Sequence, residues 1–290
     1  MIKIFIGMPV YNGARFISDA IESVRKQTFT DWTLLISDNA SEDDTERICK
    51  QFCDRDKRIT YYRHDKNIDV VANFKFLLDK SDSEYFAWFA ADDVWHTDFL
   101  KSCISILDNN KNCGMAFCNI VNIDSFGHII RTYPDFSRMT GSNRLLNVCR
   151  FLSDPEILGK ANIIYSVYRL DLCRAAWRAS PLTHRWGSDM SFVLAALTRS
   201  NLLVNDKVLF QKRIAGLHDK IDEVREIKIS NRDYYVFSLK SYLEYFMDNL
   251  RVIRGTRFYW VALIVVVCRI PMTIINFLIG LLKYHRRDGD

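Results

Sequence analysis

The eight cysteines of this chain include no Cys-x-x-Cys pair and no His/Cys zinc spacing, which sets aside dithiol redox and zinc-ribbon classes. No Gly-x-Gly-x-x-Gly follows the first strand pattern, and no Gly-x4-Gly-Lys-Ser/Thr occurs, so dinucleotide-motif and P-loop readings lose their main support. Internal repeats and low-complexity tracts are absent too. With 49% hydrophobic and 13% aromatic residues, a sizeable core is affordable in apolar surface and disorder is excluded. The sequence opens on a strand pattern, Lys3-Ile-Phe-Ile-Gly7, without a charged n-region followed by an apolar h-region. The expectation is no signal peptide, a reducing cytosol, and free, mostly buried thiols.

Charge is scarce where a nucleic-acid binder needs it. From Arg251 onward seven Lys/Arg face Asp288 and Asp290, leaving +5 there and zero on residues 1–250. A basic stripe over a folded face is therefore missing, and no nucleic-acid partner is expected. The excess instead brackets a hydrophobic tail, which suits an anionic membrane surface.

What is present is a regular alternation. Strand patterns at 2–8, 32–37, 59–63 and 85–90 alternate with helical patterns at 14–27, 43–53, 70–78 and 97–107. This rhythm predicts an α/β fold, with a mostly parallel sheet, right-handed crossovers and helices on both faces. Then the rhythm breaks. Strands are expected at 114–123, 128–133 and 162–168, and helices at 143–152, 171–178 and 188–198. A strand pair or one bent strand is expected at 202–211. Such a half supplies the second wall of a cleft.

Three strand ends carry the chemistry. The first ends in Met8-Pro9-Val10-Tyr11-Asn12-Gly13, where proline fixes φ and Asn-Gly permits a tight turn that can lay Tyr11 against a flat base. The second ends in Asp38-Asn39-Ala40-Ser41, followed by Glu42 and Asp43. A carboxylate at Asp38 can accept a base imide N–H, while Ser41 or Asp43 is read as a helix N-cap. The fourth strand, Tyr85-Phe-Ala-Trp-Phe-Ala-Ala91, runs into Asp92 and Asp93. Adjacent carboxylates at a carboxyl strand edge suit a hard divalent cation carried with phosphate, although Asp92 as a cap for the next helix is the alternative.

Together these segments, from Pro9-Val-Tyr-Asn-Gly13 through Gln27-Thr-Phe29, Asp38-Asn-Ala-Ser41 and Asn67 to Ala91-Asp-Asp93, resemble family 2 of the nucleotide-sugar glycosyltransferases, of the bacterial polysaccharide or O-antigen type. The resemblance covers about the first 110 residues and implies the GT-A fold, a Rossmann-like mostly parallel sheet. It implies donor nucleotide contacts at Pro9, Tyr11, Asp38, Asn67 and Asp92, with Asp92 on the ribose or sugar. It places Mn2+ or Mg2+ on Asp93. Where the family often has a third carboxylate, this chain has Ala91.

Further on, His184-Arg-Trp-Gly-Ser-Asp189 resembles the family's loop for the catalytic base, implying that role for Asp189. Trp186 is read as a sugar-stacking or a core residue. Gln211-Lys-Arg-Ile-Ala-Gly-Leu-His218 resembles an arginine-then-histidine segment with an altered spacing. His218 becomes a candidate metal ligand, and Lys212 or Arg213 a candidate phosphate contact. The Gln-x-x-Arg-Trp pattern of processive synthases is absent, favouring single-sugar addition.

The expected organisation is a catalytic domain over 1–225, divided into a nucleotide-binding half 1–110 and an acceptor half 111–225, followed by a helical membrane-associating region at 226–290. Residues 258–282 are mostly apolar, but Arg269 near the centre costs about 2.5–3.5 kcal/mol on membrane-insertion scales, and Pro271 kinks a helix. Arginines on both sides give no orientation signal. An interfacial or re-entrant hairpin is expected at the cytoplasmic face of the inner membrane; a kinked span and a helix packed on the domain or a second subunit are alternatives. The function these readings imply is metal-dependent, inverting transfer of one sugar from a nucleoside diphosphate donor, UDP- or dTDP-linked, to a lipid-linked glycan or polysaccharide acceptor. A polyprenyl-phosphate sugar transferase, a sugar-nucleotide nucleotidyltransferase and a non-catalytic sugar- or nucleotide-binding subunit remain the rivals.

Overall fold

Strand β1 (Ile4–Val10) is buried along almost its whole length, as a strand covered on both faces by helices must be. In the computed structural model, which describes residues 2–141, 143–214 and 231–271, it pairs in parallel with β2 (Trp32–Asp38) and with β4 (Tyr85–Trp88). β3 (Ile59–Arg63) continues the parallel half beyond β2. The ladder between β1 and β4 stops at Gly7 opposite Trp88, two residues before Pro9. Proline, which has no N–H to donate, therefore sits where that ladder has ended.

The crossover helices α1 (Ile17–Arg25), α2 (Thr45–Arg55) and α3 (Val70–Lys80) return the chain to the sheet. α1 buries Ile17, Ala20, Ile21 and Val24, the i, i+3, i+4, i+7 stripe of a helix lying on a sheet. After α4 (Phe99–Asn109) the chain adds β6 (Cys113–Ile123), β7 (Ile129–Thr132), β8 (Val167–Arg169) and β9 (Asn201–Arg213). Among the described residues the sheet order is β3-β2-β1-β4-β8-β6-β9-β5, with β7 on the flank of β6 and β5 (Val94–Trp95) paired to the end of β9. The sheet thus runs across residue 110 unbroken, parallel in the first half and mixed in the second. Helices α5 (Arg144–Ser153), α6 (Leu170–Ala179) and α7 (Ser188–Leu197) complete this part.

Two local expectations are corrected. The stretch expected as a strand at 162–168 is mostly a 3-10 helix, Lys160–Tyr165, and only Val167–Arg169 joins the sheet. Ile163 and Ile164 are buried by that turn rather than by a ladder, and the Ser166 hydroxyl donates to the Ile163 carbonyl. The strand expected at 85–90 ends at Trp88, so the Asp pair follows a turn closed by the Asp93 N–H to the Ala90 carbonyl. The 202–211 segment is one strand, extended to 201–213 and bulged against β6. All eight cysteines are free, and five of them are buried.

The core behind the carboxyl edge is aromatic. Trp88 packs against Phe74, Phe86, Tyr168, Trp177 and Phe192, with its indole N–H donated to the Phe74 carbonyl. This cluster joins the first-half sheet to α6 and α7, and so holds the two walls of the cleft in register.

Beyond the sheet, the helix Asn231–Ile253 and a helix over 259–271 lie on the domain. Tyr245, Phe246, Val252, Ile253, Phe258, Ala262 and Val266 are buried in the common core. Arg269 binds Glu156 through its two terminal guanidinium nitrogens, at 2.8 and 2.9 Å, and donates to the Leu152 carbonyl. Residues 258–271 therefore take the domain-packed arrangement along one face, and Arg269 meets its counter-charge on the domain. Among the described residues no helix is long and apolar enough to cross a membrane. The remainder of the expected hairpin, 272–282, lies outside the described residues.

Candidate active site

The loops leaving β1 and β2 are stitched to each other. The N–H groups of Asn12, Gly13 and Ala14 donate to Ser41 Oγ, Thr45 Oγ1 and Asp43 Oδ2 at 2.8, 2.9 and 2.9 Å. In return Asn12 Oδ1 accepts from the Glu42 N–H at 2.8 Å. Asn12 and Ala40 take left-handed backbone conformations, φ 52° and 65°, which let the chain turn this tightly. The cap expected at Ser41 or Asp43 becomes a tie between loops: Asp43 accepts from Thr45 N–H on α2 and from Ala14 N–H on the first loop, while Ser41 receives Asn12. Asp44 is the residue that precedes α2.

Asp38 is fully buried. Its Oδ1 accepts from Ser41 N–H and Oγ–H, and Oδ2 from the Tyr61 hydroxyl. Its side chain thus braces the second loop from below. The neighbouring Asn39 lines the cavity instead, and its amide is oriented by Asn67 Oδ1 at 2.9 Å and by Ile68 N–H at 2.7 Å. Asn67 is exposed and reaches the cavity only through Asn39.

That cavity has a volume of about 560 Å³. Pro9, the half-exposed Tyr11, Phe16, Asn39, Asp92 and Tyr165 lie on its wall. It opens at the carboxyl edge of β1 and β4, where doubly wound sheets bind ligands. Pro9, Tyr11 and Asp92 are brought together there; Asp38 and Asn67 stand one layer behind.

The capping alternative for Asp92 does not hold, since Asp98 precedes α4. Asp93 is 1% exposed. Its Oδ1 accepts the Arg213 N–H at 2.9 Å, and its Oδ2 has no partner. Arg213 fixes the whole turn: it donates to the carbonyls of Asp92, Asp124 and Ser125 and to Asp19 Oδ2, and stacks over Phe16. The sequence offered Lys212 or Arg213 as a phosphate contact; the structure spends the donors of Arg213 on protein groups. Burial pushes the Asp93 carboxyl up to about 7, with Asp92 adding to the rise and Lys212 opposing it. Burial also raises Asp92, again opposed by Lys212.

A second cavity of about 450 Å³ adjoins the first, sharing Val70, Phe74 and Tyr165 with it. Its wall carries Asp189, Lys212, Arg185 and Trp186. Asp189 is the second residue of α7, where the helix N-terminus favours a carboxylate, and Oδ1 accepts the Met190 N–H at 2.7 Å. Burial nevertheless raises its pKa. Trp186 packs with one side on Tyr242 and Tyr245, while 40% of the residue stays exposed on the cavity wall. His184 Nε2 pairs with Asp69 Oδ2, tying the loop before α7 to the start of α3. Asp69 caps α3 in a left-hand-side conformation, φ 81°, that non-glycine residues rarely adopt. Tyr165 at the junction had no local signal in the sequence, because only the fold brings it beside the Asp pair.

The donor set fits a hard divalent cation in one manner. Among the described residues no group of three or more His, Cys, Asp or Glu can hold a metal. Asp92 on the wall and the unpartnered Asp93 Oδ2 offer two carboxylates, so a bound diphosphate has to supply further oxygens. His218 lies outside the described residues.

The sequence profile described as Glycosyl transferase family 2 matches residues 5–167. An uncharacterized glycosyltransferase of Rickettsia felis is 24% identical over 215 residues, 74% of this chain and 33% of that protein. Bacillus subtilis TuaG, named as a teichuronic acid biosynthesis glycosyltransferase, is 28% identical over 58% of this chain and 68% of its own length. The chain spans between about a third and a half of several relatives it matches. Among solved structures, S. aureus TarS in complex with UDP superposes with a TM-score of 0.58 at 16% identity, covering 86% of this chain and 69% of that one. The mannosyltransferase PcManGT of Pyrobaculum calidifontis, in complex with GDP-Man and Mn2+, gives 0.59 at 11% identity, covering 98% and 75%. These likenesses establish a shared GT-A architecture.

Proposed function

Since this chain belongs to glycosyl transferase family 2, we propose that it transfers a single sugar from a nucleoside diphosphate donor, with inversion at the anomeric carbon. The observation that carries this reading is the junction of two cavities at Tyr165, one with Pro9, Tyr11 and Asp92 on its wall and the other with Asp189. The first suits a nucleotide, with Tyr11 against the base and Asp92 toward the ribose or sugar. UDP or dTDP is the donor class we favour; the relatives' ligands, UDP for TarS and GDP-Man for PcManGT, belong to the same chemistry.

In the reaction the acceptor oxygen forms a bond to C1 as the bond from C1 to the diphosphate oxygen breaks. Asp189 takes the hydroxyl proton, and the nucleoside diphosphate leaves. A raised carboxylate pKa brings a general base closer to the operating pH, which is the sense in which burial shifts Asp189. Mn2+ or Mg2+ would be held by Asp93 and Asp92 and would supply positive charge to the leaving diphosphate. Asp38 serves as support for the nucleotide-binding loop, through Ser41 and Tyr61.

We assign the acceptor to the lipid-linked glycans and the enzyme to the cytoplasmic face of a membrane. Along the helix 259–271, Trp260, Val261, Ile264 and Val267 are exposed opposite the buried Ala262 and Val266. Arg251, Arg254 and Arg257 are exposed just before them. An apolar stripe with a basic rim supports binding in the plane of an anionic interface. Vesicles containing phosphatidylglycerol should bind the protein in low salt, and a Trp260→Glu/Ile264→Glu pair should abolish this; equal binding by that variant contradicts the assignment.

The chemical reading is tested by Asp189→Asn. Donor binding should be unchanged while transfer falls by about 10²–10⁴-fold, the range of general-base contributions. Loss of donor binding together with transfer would return Asp189 to a structural role.

A further inference from the structure

The loop between α6 and α7 carries two exposed side chains to which the proposed reaction gives no task, Arg185 and Trp186, and both lie on the wall of the Asp189 cavity. The loop is braced from within. The Thr183 hydroxyl accepts the Arg185 N–H at 3.2 Å, and the Ser188 hydroxyl donates to the Thr183 carbonyl at 2.8 Å. It is braced from outside by His184, paired with Asp69 at the start of α3. Trp186 leans on Tyr242 and Tyr245 of the helix Asn231–Ile253, with ring centres 4.5 and 5.5 Å away. A part-exposed indole held in this way presents an apolar face to the cavity, the complement of the C–H face of a sugar ring.

Arg185 is only partly neutralised. Among the described residues its side chain meets Asp248 alone, through Nη1 to Oδ1 at 3.4 Å, and the same oxygen accepts Arg251 Nη1 at 2.7 Å. One carboxylate thus serves two guanidinium groups, and the shorter bond goes to Arg251. The Nε and Nη2 donors of Arg185 are left over, and they can grip two oxygens of a carboxylate or phosphate side by side. A guanidinium has donors and no acceptor, so a neutral hydroxyl meets it through one bond while an oxyanion fills the fork. Lys212, the other cation on this wall, is engaged elsewhere: burial lowers its pKa, but Tyr165, Asp93, Asp92 and Asp189 together hold it above the ordinary lysine value. From Arg185 the basic groups continue away from the cavity through Arg251 to the exposed Arg254 and Arg257, where the apolar stripe of helix 259–271 begins.

We propose that Arg185 is a specificity-determining residue for the acceptor: its guanidinium binds an oxyanion that the acceptor carries, while Trp186 underlies the acceptor sugar. The proposal rests on the transfer reading above and narrows it, because it restricts acceptors to sugars with a negative group. The Asp189 carboxylate on the same wall repels such a group, and Arg185 offsets that repulsion. Two sources share this chemistry, the phosphate that joins a sugar to its lipid and a carboxylate on the sugar itself. The row of arginines leading to the apolar stripe favours the lipid phosphate.

The test is binding of octyl β-glucoside, octyl β-glucuronide and citronellyl diphosphate-linked glucose to wild type, Arg185→Gln and Arg185→Lys by ligand-observed NMR. MnCl2 and an excess of UDP, dTDP or GDP are present, so that the diphosphate analogue is kept out of the donor cavity. The wild type should bind an anionic analogue at least about fivefold more tightly than the neutral glucoside, the scale of a charge-assisted bond at a partly exposed site. A preference for the diphosphate analogue identifies the lipid link, and one for the glucuronide identifies an acidic sugar. Arg185→Gln should lose the preference, and Arg185→Lys, which keeps the charge without the fork, should keep part of it. The wild-type measurement needs no variant to fold, and circular dichroism checks the variants. Equal binding of the analogues, binding of none at millimolar concentration, or a preference that survives Arg185→Gln overturns the proposal while the donor reading stands. Absence of any nucleotide binding overturns the donor reading itself.

Discussion

Gly187 decides where Asp189 points. It precedes α7 with φ 82°, and a Cβ there would stand 2.7 Å from the Tyr245 ring. Gly187→Ala thus combines left-handed backbone strain with a clash against a buried aromatic, and should destabilise the fold by about 1–3 kcal/mol. Because Tyr245 and Trp186 pack together, the variant should also lower transfer while leaving nucleotide affinity within about twofold, read as a kcat effect in steady-state kinetics. Unchanged stability and rate would mean that the loop relaxes freely. At this scale the sequence was a good guide to which residues gather at the sheet edge and a poor one to their layer. Pro9, Tyr11 and Asp92 face the cavity as the strand ends suggested, since a parallel strand's carboxyl end has one place to go. Asp38 turned inward because Ser41 and Tyr61 satisfy both its oxygens, which no spacing reveals. Arg213 was legible as a cation beside the site, but its five-way clamp depends on segments up to 194 residues away.

The elements of the first half were readable because each crossover carries its own periodicity and the strands are buried on both faces. β5 was not, since two residues, Val94 and Trp95, become a strand only by pairing with β9. The C-terminal segment was half legible for the same reason: its apolar run shows in the sequence, but the partner of its central arginine is Glu156, 113 residues earlier. Glu156, Lys160 and Arg269 form a buried ionic clasp between the domain and the helix 259–271. Burial pushes the Glu156 carboxyl up, but hydrogen bonds from Arg269 and the charges of Lys160 and Arg269 outweigh it and hold the pKa below its ordinary 4.5. A depressed carboxylate pKa stabilises the fold above the unfolded-state value and ceases to do so as pH falls through the native value. Glu156→Gln should therefore cost about 3–5 kcal/mol at pH 7, because it leaves two buried cations without a counter-charge. It should also flatten the loss of stability below about pH 4.5, where the unfolded chain's carboxylate takes up a proton while the native clasp is still ionised. Denaturant midpoints at pH 7 and pH 4 check both statements, and parallel pH profiles for the two proteins would exclude the clasp as a stabilising device.

For the whole molecule, one sheet carries, side by side, a nucleotide-sized cavity and a second cavity with Asp189 on its wall, and the helices after it present an apolar stripe away from the core. Net charge divides the same way, zero over residues 1–250 and +5 beyond. With no net charge on residues 1–250, anion binding in the cleft depends on local groups rather than on bulk potential. The central claim is that the cavity under Tyr11 and Asp92 receives a nucleoside diphosphate sugar. Thermal unfolding of the protein against UDP-, dTDP- and GDP-sugars, each with Mn2+, tests it directly. At least one donor should raise Tm by several degrees at millimolar concentration, and Asp92→Asn with Asp93→Asn should remove most of the Mn2+-dependent part of that shift. No stabilisation by any donor under any metal condition would contradict the account.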